Sequence, residues 1–418
     1  MAISRTLDHW LSLLETRHPS TIELGLDRVA AVWQRMGAHC LAPCVIVVAG
    51  TNGKGSTIAC IDALLRAQGK RTGVYTSPHL VHFQERIQIH AVPVDERSLC
   101  DAFEQVEAAC GDTSLTYFEF TTLAAFRLFS MAALDVAILE VGLGGRLDAV
   151  NCIDADVAVV TRIAFDHQDW LGDSLDKIAF EKAGIFRSGK PAVCGQASPP
   201  ATLMQRANEL GAHWVCRGPD FDARDTGETW QWQGAGHTME ALPALQIPRD
   251  SAVTALQVMA LLECLPSAEC VRSVLASLAV PGRFQRMQLD GIPVILDVAH
   301  NPDAATWLAS RLRAEPCRGR TFMVFAALAD KDIAGVVEPL IGLADAWFVA
   351  DLPDVPRAAS AEVLMERIAA AGPRAISVSK NLRQALARVR SLAGADDRIV
   401  VFGSFYTVGK VLALLERC

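Results

Sequence analysis

The sequence predicts an α/β protein of two domains: a phosphate-binding-loop (P-loop) domain built on a central parallel sheet, and a smaller C-terminal Rossmann-like α/β domain. Three observations lead to this prediction. Short apolar, β-rich runs alternate with amphipathic helical segments, a glycine-rich loop follows the first of these runs, and a second alternating series starts after a Pro-Gly break late in the chain. Such alternation is typical of parallel sheets, because parallel strands need helical crossover connections.

The first alternating series defines the larger domain, which we place at residues 1–282. Its buried strands are predicted at residues 45–49, 72–75, 136–140 and 157–163. After Pro191 the alternation loosens. Residues 218–236, with two tryptophans and many polar side chains, are predicted to form a small β insertion to which we assign no chemistry.

The second alternating series defines the smaller domain, which we place at residues 283–418. The boundary falls in the sequence VPGR at residues 280–283, where Pro and Gly end a helical pattern. Strands of this domain are predicted at residues 292–298, 321–325, 346–350, 375–378 and 398–402. These runs again alternate with helical segments, so the second domain should also contain a parallel sheet.

Composition argues against several classes of partner. The 418-residue chain has a formal net charge of −8 and scattered basic residues, whereas duplex nucleic acid calls for a basic face. The longest apolar stretch, residues 123–139, is interrupted by Arg127 and Asp135 and is too polar for a membrane span. The twelve cysteines are dispersed, which is typical of reduced thiols. We expect a cytoplasmic protein without nucleic-acid or membrane partners and, since all catalytic motifs lie in one chain, a monomer.

The glycine-rich loop has the residue types that bind phosphate. It consists of Gly50, Thr51, Asn52, Gly53, Lys54, Gly55 and Ser56. Bare glycine backbone can approach an anion closely, and the N–H groups at the start of the following helix point towards it. Lys54 would reach the β- and γ-phosphates of a nucleotide, and the Ser56 hydroxyl would hold Mg²⁺. The alternative is a simple glycine turn, and the spacing does depart from the common G-x-x-x-x-G-K-[ST] pattern.

Two more side chains are predicted near the same edge of the sheet, and a helix lysine follows them in the sequence. Glu140 ends a strand and can bind Mg²⁺, although a strand-end acid can also be a simple surface residue. His167 follows the next strand. Because Mg²⁺ prefers oxygen ligands, the residues alone favour a hydrogen-bonding or catalytic histidine over a metal ligand. Lys182 lies between apolar residues of a helix, where a salt-bridged lysine is the ordinary interpretation.

Six motifs in a fixed order carry a family resemblance. They are GTNGKGS at residues 50–56, TSPHL at 76–80, LEVGLGGRLDA at 139–149, DHQDWLG at 166–172, EKAGIFR at 181–187 and DVAHNP at 297–302. Together they resemble the bifunctional bacterial dihydrofolate synthase/folylpolyglutamate synthases of the Mur ligase superfamily. The resemblance extends over nearly the whole chain, and it implies a Mur-ligase-like fold for the P-loop domain.

The resemblance implies roles for the residues around the phosphate loop. Ser77, Glu140 and His167 match magnesium ligands of the family, and residues 53–56 match its ATP phosphate contacts. Lys182 matches a lysine that the family carbamylates with CO₂, which turns a cation into an oxygen donor for a metal. Two Mg²⁺ sites are thus implied. The implied catalytic residues are Lys54, His167 and Lys182.

The same resemblance implies ATP contacts in the second domain. Asp297 matches an ATP-binding acid, and His300 follows it in the same motif. Arg283, in the predicted linker, matches an arginine that contacts ATP, so the nucleotide would lie between the two domains. The family usually has Asn where this chain has Ser251, and that ATP contact would be made by a shorter group.

The resemblance also implies a region that binds pteroate. Its residues are Glu23, Leu24, Gly25, Leu26, Thr116, Tyr117, Phe118, Glu119, Leu147, Asp148 and Ala149. A flat pterin ring favours aromatic and apolar walls with a few polar anchors. From the residues alone, Tyr117 and Phe118 would be interpreted as core aromatics.

The implied activity is ATP-dependent amide ligation. A substrate carboxylate would attack the γ-phosphate of ATP to form an acyl phosphate, from which L-glutamate would displace phosphate. The implied acceptors are 7,8-dihydropteroate, giving dihydrofolate, and reduced folates, giving folylpolyglutamates. A monofunctional folylpolyglutamate synthase or another Mur-type ligase is the alternative within this class. A regulatory P-loop NTPase is the alternative outside it.

Overall fold

Contacts divide the chain into two units. The computed structural model describes residues 5–18, 20, 22–372 and 375–416. Within these residues, the first unit comprises the chain up to Pro78 together with Gln84–Leu278, and the second comprises His79–Phe83 together with the chain from Ala279 onward. The division after Leu278 lies slightly before the boundary that the Pro-Gly break predicts. The second unit also takes in a short segment from the TSPHL motif, which the prediction assigned to the first domain.

The first unit contains an eight-stranded sheet. Its strands are β1 (Cys44–Ala49), β2 (Thr72–Tyr75), β3 (Ile87–Ile89), β4 (Val92–Pro93), β5 (Val136–Glu140), β6 (Val157–Val160), β7 (Pro191–Cys194) and β8 (His213–Cys216). Their order is β4-β3-β2-β5-β1-β6-β7-β8, with parallel pairing from β2 to β8 and an antiparallel edge formed by β3 and β4. The predicted parallel sheet is confirmed. Its central strands β1, β5 and β6 are apolar because both of their faces are buried.

The helices of the first unit connect these strands. They are α1 (Leu7–Arg17), α2 (Asp27–Arg35), α3 (Lys54–Ala67), α4 (Glu96–Cys110), α5 (Tyr117–Met131), α6 (Gln168–Leu171), α7 (Leu175–Ala183), α8 (Ala201–Leu210), α9 (Arg249–Leu261) and α10 (Ala268–Ser277). Helix α3 starts within the glycine-rich loop, at Lys54, and packs against α9. Thr116 caps α5, and Ser174 caps α7 by accepting the Lys177 N–H. These capping residues determine where the helices carrying the predicted site residues begin.

A three-stranded antiparallel sheet begins in the region predicted as a β insertion, residues 218–236, and extends beyond it to Leu242. Its strands are β9 (Phe221–Asp225), β10 (Trp230–Gly234) and β11 (His237–Leu242), in the order β11-β10-β9. Trp230 and Trp232 of the middle strand are buried. The two tryptophans therefore serve the packing of this small sheet.

The second unit contains a six-stranded sheet. Its strands are β12 (Gln285–Leu289), β13 (Ile292–Asp297), β14 (Thr321–Phe325), β15 (Ala346–Ala350), β16 (Ala375–Ser379) and β17 (Arg398–Phe402), in the order β12-β13-β17-β14-β15-β16. All pairs are parallel except β12 with β13. The parallel strands coincide with the predicted runs. Strand β12 escaped prediction because its residues alternate between half-buried and exposed positions at the sheet edge and give little apolar signal.

Helices lie on both faces of the second sheet, as expected for a Rossmann-like domain. They are α11 (Pro302–Ala314), α12 (Ile333–Val337), α13 (Ala361–Ala370), α14 (Leu382–Leu392) and α15 (Phe405–Leu415). Met323 and Phe325 of β14 belong to a core with α11, α12 and α13, whereas Phe322 and Val324 belong to a core with α14 and α15. The period of two along a strand thus supplies both faces with apolar side chains. Within the described residues, no helix is long and apolar enough to span a membrane.

Candidate active site

The phosphate loop connects β1 to α3, as the sequence predicts. Gly50 and Gly53 have φ angles of 144° and 90°, which residues with a Cβ rarely adopt. Gly53 is the N-cap residue of α3, and Ser56 is buried in the first turn of that helix. The free N–H groups of the first turn therefore face the loop, where an anion can accept hydrogen bonds from them.

Thr161, directly after β6, holds the phosphate loop in this shape. Its hydroxyl donates to the Asn52 carbonyl at 2.7 Å, and a Cβ added to Gly50 would lie 2.0 Å from the hydroxyl oxygen. The Thr51 N–H donates to the Arg162 carbonyl at 2.6 Å and gives the loop a second attachment. Sequence reasoning missed Thr161. The sequence placed it inside a strand predicted at residues 157–163, but that strand ends at Val160 in the structure, so Thr161 begins the loop that follows.

A cation and a carboxylate meet beside the loop. The Lys54 ammonium donates to the Gly50 carbonyl at 3.0 Å and lies 3.9 Å from one carboxylate oxygen of Glu140. The other Glu140 oxygen accepts the Ser77 N–H at 3.2 Å. Glu140 is buried at the end of β5. Carboxylate and hydroxyl oxygens next to a phosphate loop are donors that suit Mg²⁺, so Glu140, Ser77 and Ser56 fit this ion chemically.

Among the described residues, no group of three or more His, Cys, Asp or Glu side chains is arranged to hold a metal ion. The metal roles of Ser56, Ser77, Glu140, His167 and Lys182 stay predictions.

Lys182 is buried in the last turn of α7, with 3% of its surface exposed. Burial lowers the pKa of its amine to about 7, and the charge of Lys54 contributes to this decrease. The negative charges of Asp166 and Asp148 act in the opposite direction. Lys177 of the same helix is exposed and pairs with Asp173 at 2.7 Å. Lys182 therefore differs from the salt-bridged helix lysine that its local sequence suggests.

Replacing Lys182 with methionine is expected to stabilise the fold, most strongly at low pH. The pKa of Lys182 falls from its ordinary 10.5 to about 7 on folding. Unfolding therefore takes up a proton between these values, and the wild-type free energy of unfolding rises with pH across that window. The difference in Tm between K182M and wild type should be largest below pH 7 and shrink towards pH 10.5 in metal-free buffers purged of CO₂. A difference that does not change with pH would contradict the lowered pKa.

His167 and Asp166 lie at the end of the loop that follows β6. His167 is the N-cap residue of α6, with 36% of its side chain exposed and a left-handed φ of 50°, an uncommon conformation for a non-glycine residue. Its Nε2 lies 3.9 Å from Asp166 Oδ1. Asp166 also acts on the pKa of Lys182, so it links the two predicted site residues. Sequence reasoning did not select Asp166, although it begins the motif DHQDWLG.

Tyr117 and Phe118, predicted to contact pteroate, begin α5 and are half-buried. The Phe118 ring packs against Tyr75 with centroids 6.0 Å apart, and a Cβ added to Gly142 would lie 2.6 Å from it. The Arg86 guanidinium lies 5.7 Å from the centre of the Tyr117 ring. Neither ring is enclosed in the core, which leaves part of each available to a ligand.

Other predicted pteroate residues hold the local backbone. Thr116 and Glu119 form a capping box, in which each side chain accepts the other residue's N–H, at 3.2 and 2.8 Å. Asp148 accepts the N–H groups of Leu143 and Val150 at 2.8 and 3.1 Å, and burial raises its pKa to about 6 against the effect of these bonds. Next to Asp148, Leu147 is half-buried and Ala149 is buried. Contacts of these residues with pteroate stay predictions.

The predicted segment 23–26 leads into α2. Glu23 is exposed, contacts His18 Nε2 at 2.9 Å and pairs with Arg28. The Arg28 guanidinium also lies 3.1 Å from the Glu119 carboxylate. Arg28 thus joins two segments that were predicted separately. The remaining residues of the segment, Leu24, Gly25 and Leu26, are half-buried.

Ser251 lies against the phosphate loop. It is buried in the first turn of α9, and its hydroxyl donates to the Gly53 carbonyl at 3.5 Å. A Cβ added to Gly53 would lie 3.4 Å from this hydroxyl oxygen. The residue that departs from the family pattern is therefore brought to the loop, and its contact with ATP stays a prediction.

The second unit holds the other predicted ATP residues. Asp297 is buried at the end of β13, and its carboxylate accepts the Phe284 N–H at 2.8 Å. Burial raises the pKa of Asp297, and the charge of Arg283 opposes this rise. The Arg283 guanidinium and the His300 ring both lie near the Phe405 ring, at 5.5 and 6.1 Å from its centre. The structure thus groups Arg283, Asp297 and His300 within this unit, and their role in binding ATP stays a prediction.

Comparison with known proteins identifies the family. Residues 48–217 match the Mur ligase middle domain, and residues 282–405 match the glutamate ligase domain of Mur ligases. The chain is 44% identical over 422 residues to the dihydrofolate synthase/folylpolyglutamate synthase of Escherichia coli K12, covering 100% of this chain and 98% of that protein. A protein of the same name from Mycobacterium tuberculosis H37Rv is 33% identical, with 97% and 93% covered.

Solved structures agree with this similarity. The structure described as E. coli FolC in complex with DHPP and ADP matches with a TM-score of 0.94 at 44% identity, covering 99% of this chain and 98% of that one. A bifunctional folylpolyglutamate synthase/dihydrofolate synthase with Mn, AMPPNP and L-glutamate bound matches with a TM-score of 0.92 at 43% identity, with the same shares covered. The chain therefore belongs to the dihydrofolate synthase/folylpolyglutamate synthase family of Mur ligases.

Proposed function

We propose that this protein is an ATP-dependent amide ligase that joins L-glutamate to 7,8-dihydropteroate, giving dihydrofolate, and to reduced folates, giving folylpolyglutamates. The observation that carries the proposal is the phosphate loop with the Lys54 ammonium 3.9 Å from the Glu140 carboxylate. Similarity over the whole chain to dihydrofolate synthase/folylpolyglutamate synthases supports the substrates.

The phosphate loop would bind the phosphates of ATP. Backbone N–H groups of the loop and of the first turn of α3 donate to phosphate oxygens, while Lys54 offsets the charge that spreads over the γ-phosphoryl group during its transfer to the substrate carboxylate. Glu140, Ser77 and Ser56 would hold one Mg²⁺, and His167 with Lys182 a second. When bound, Mg²⁺ would supply positive charge that offsets the negative charge of phosphate and carboxylate oxygens. The acyl phosphate would form as ADP leaves, and the glutamate amine would then attack its carbonyl carbon, displace inorganic phosphate and lose a proton.

Lys182 would carry a carbamate derived from CO₂. Only the neutral amine attacks CO₂, forming an N–C bond as the nitrogen loses a proton, and the lowered pKa of about 7 makes the neutral form abundant near neutral pH. The product is an anion. Since the charge of Lys54 acts on Lys182, carbamylation would replace a repulsion between two cations with an attraction. A metal-binding role for Lys182 is therefore consistent with its buried surroundings.

Replacing Asp297 with alanine is expected to raise the KM for ATP by about tenfold, as for a lost hydrogen bond worth about 1.4 kcal/mol. Asp297 also holds the Phe284 N–H, so D297N, which keeps an acceptor oxygen, is the second variant. The matched control is D354A, since Asp354 is an exposed acid of the same unit paired with Lys410. Steady-state kinetics with varied ATP measures the effect. An unchanged KM in D297A would remove Asp297 from the nucleotide site.

The proposed function is tested by supplying ATP, Mg²⁺ and L-glutamate to the purified protein, with 7,8-dihydropteroate in one reaction and tetrahydrofolate in another. Phosphate release is followed, and products are identified by mass. We expect phosphate release that depends on glutamate, and a mass gain of one glutamyl unit in both reactions.

Other outcomes would assign the protein differently. A mass gain with tetrahydrofolate alone would make it a monofunctional folylpolyglutamate synthase. No mass gain with either acceptor would favour another Mur-type ligase. A rate of ATP hydrolysis that does not depend on glutamate would favour a regulatory NTPase.

We further propose a monomeric, cytoplasmic enzyme. The described cysteines are free thiols, which supports a reducing compartment. Light scattering of the purified protein and fractionation of cells that express it would test the two statements.

A further inference from the structure

A network of polar contacts joins the loop after β5 to the end of α7. We call it the loop–helix brace, and its members are Arg146, Asn151, Glu181, Gly184 and Arg187. The Arg146 N–H donates to the Glu181 carbonyl at 2.7 Å, and the Arg146 guanidinium donates to the Glu181 carboxylate through Nε at 3.1 Å and Nη2 at 2.9 Å. The brace therefore connects the loop to the residue that immediately precedes Lys182.

Asn151 lies at the centre of the brace, with only 6% of its surface exposed. Its Nδ2 donates both hydrogens, to the Arg146 carbonyl at 2.9 Å and to the Gly184 carbonyl at 3.0 Å. Its Oδ1 accepts from Arg187 Nη2 at 3.0 Å. These contacts need a short, planar side chain with two hydrogen-bond donors and one acceptor. Among side chains of this size, only asparagine has these groups.

The two braced segments pack closely against each other at two glycines. A Cβ added to Gly145 would lie 2.8 Å from the Glu181 carbonyl oxygen and 3.1 Å from Lys182 Cα. A Cβ added to Gly184 would lie 2.3 Å from Arg146 Cβ. The loop backbone is thus pressed directly against the turn that carries Lys182, and Asn151 holds the two in one register.

The loop and the turn each adjoin residues of the proposed reaction site. The loop begins directly after Glu140, whose carboxylate lies 3.9 Å from Lys54, and the turn carries Lys182, whose pKa responds to the charge of Lys54. We propose that Asn151 is a positioning residue for the ligase reaction, which sets the place of the Lys182 amine relative to Glu140 and Lys54. This inference rests on the proposed function, because it assumes that Lys182 takes part in the reaction.

If Asn151 positions Lys182, its replacement should have a different effect than if Asn151 only stabilises the fold. If Asn151 only stabilised the fold, its loss would lower the fraction of folded protein and leave the folded molecules fully active. If it positions Lys182, the folded molecules themselves would have a reduced kcat. The KM for ATP should change little, because the phosphate loop is held separately by Thr161.

The test uses two variants of the full chain and one matched control. Asn151→Asp keeps the shape of the side chain but lacks the two donors, and Asn151→Ala removes the group. The control is Asn208→Ala, an exposed asparagine on α8. For each protein we would measure kcat, the KM for ATP, the Tm, and the carbamate signal in ¹³C NMR after incubation with ¹³C-labelled bicarbonate.

We expect kcat to fall by about 10- to 100-fold in both Asn151 variants, the usual range for partners that orient the ligands of a metal site. The KM for ATP should stay within about twofold of wild type, and the bicarbonate concentration that gives half of the carbamate signal should rise.

A kcat within about twofold of wild type in both variants, or a loss of activity that matches the unfolded fraction of the protein, would overturn the inference. A wild-type protein without any carbamate signal would instead overturn the carbamate proposal, and the split between kcat and KM would still decide the role of Asn151.

Discussion

Lys182→Ala is expected to lower kcat by about 10²- to 10³-fold, the range seen when one preorganised electrostatic group is removed from an active site. Lys182 is buried among charged groups, and the charges of Lys54, Asp166 and Asp148 all act on its amine. Its loss would remove the proposed carbamate and with it an oxygen donor for the second metal.

The protein should remain folded when Lys182 is removed. The lowered pKa shows that the fold disfavours the charged amine, so removing the amine relieves an unfavourable desolvation while the cavity left by the side chain costs stability. Far-UV circular dichroism and the Tm would check this. The matched control is Lys177→Ala, an exposed lysine of the same helix, which should keep wild-type activity.

Small carboxylates offer a second readout for Lys182. Acetate or formate can enter the cavity of K182A and supply the anionic oxygen that the carbamate would provide, so turnover should rise with their concentration. The same salts should not stimulate K177A. Normal turnover by K182A without added carboxylate would remove Lys182 from the reaction site.

Gly50→Ala is expected to reduce kcat/KM for ATP by about 100-fold, as for a displacement of reacting groups by about 1 Å. The new Cβ would lie 2.0 Å from the Thr161 hydroxyl oxygen, and the φ of 144° is one that alanine rarely adopts. The loop would therefore shift away from Thr161 and lose the shape in which its N–H groups converge. The defect should appear as weaker nucleotide binding in calorimetry with ADP.

The control for Gly50 is Gly342→Ala. Gly342 has no positive φ, and a Cβ added there would meet no atom within 4 Å. This variant should bind ADP as wild type does. Unchanged ADP affinity in G50A would show that the phosphate loop tolerates a side chain at this position, and would contradict the role assigned to Thr161.

The features predicted correctly are those encoded by neighbouring residues. The phosphate loop is a run of seven residues that begins directly after a strand and ends in the first turn of a helix, and Glu140 ends an apolar strand. In each case the local pattern of apolar residues and glycines specifies both the element and the edge of the sheet at which it ends. Position at that edge could therefore be inferred without knowing any long-range contact.

Thr161 and Asn151 were missed for the opposite reason. Thr161 contacts Asn52 across 109 positions of the sequence, and Asn151 contacts Gly184 across 33. A single threonine or asparagine is common in any chain, and its neighbours in the sequence do not indicate which distant residue it contacts. Their roles depend on which carbonyl groups the folded backbone brings within hydrogen-bond distance.

The amino-acid order alone was enough to predict a two-domain α/β protein with parallel sheets and a phosphate loop, because strand periodicity, glycine conformation and helix capping act over a few residues. The character of Lys182 required the folded chain. Its sequence neighbours suggest an ordinary helix lysine, whereas the structure buries it near Lys54, Asp148 and Asp166 with a pKa of about 7. Desolvation and Coulomb interactions depend on distances between segments far apart in sequence, and these distances exist only after the loop of β5 and the end of α7 have packed together.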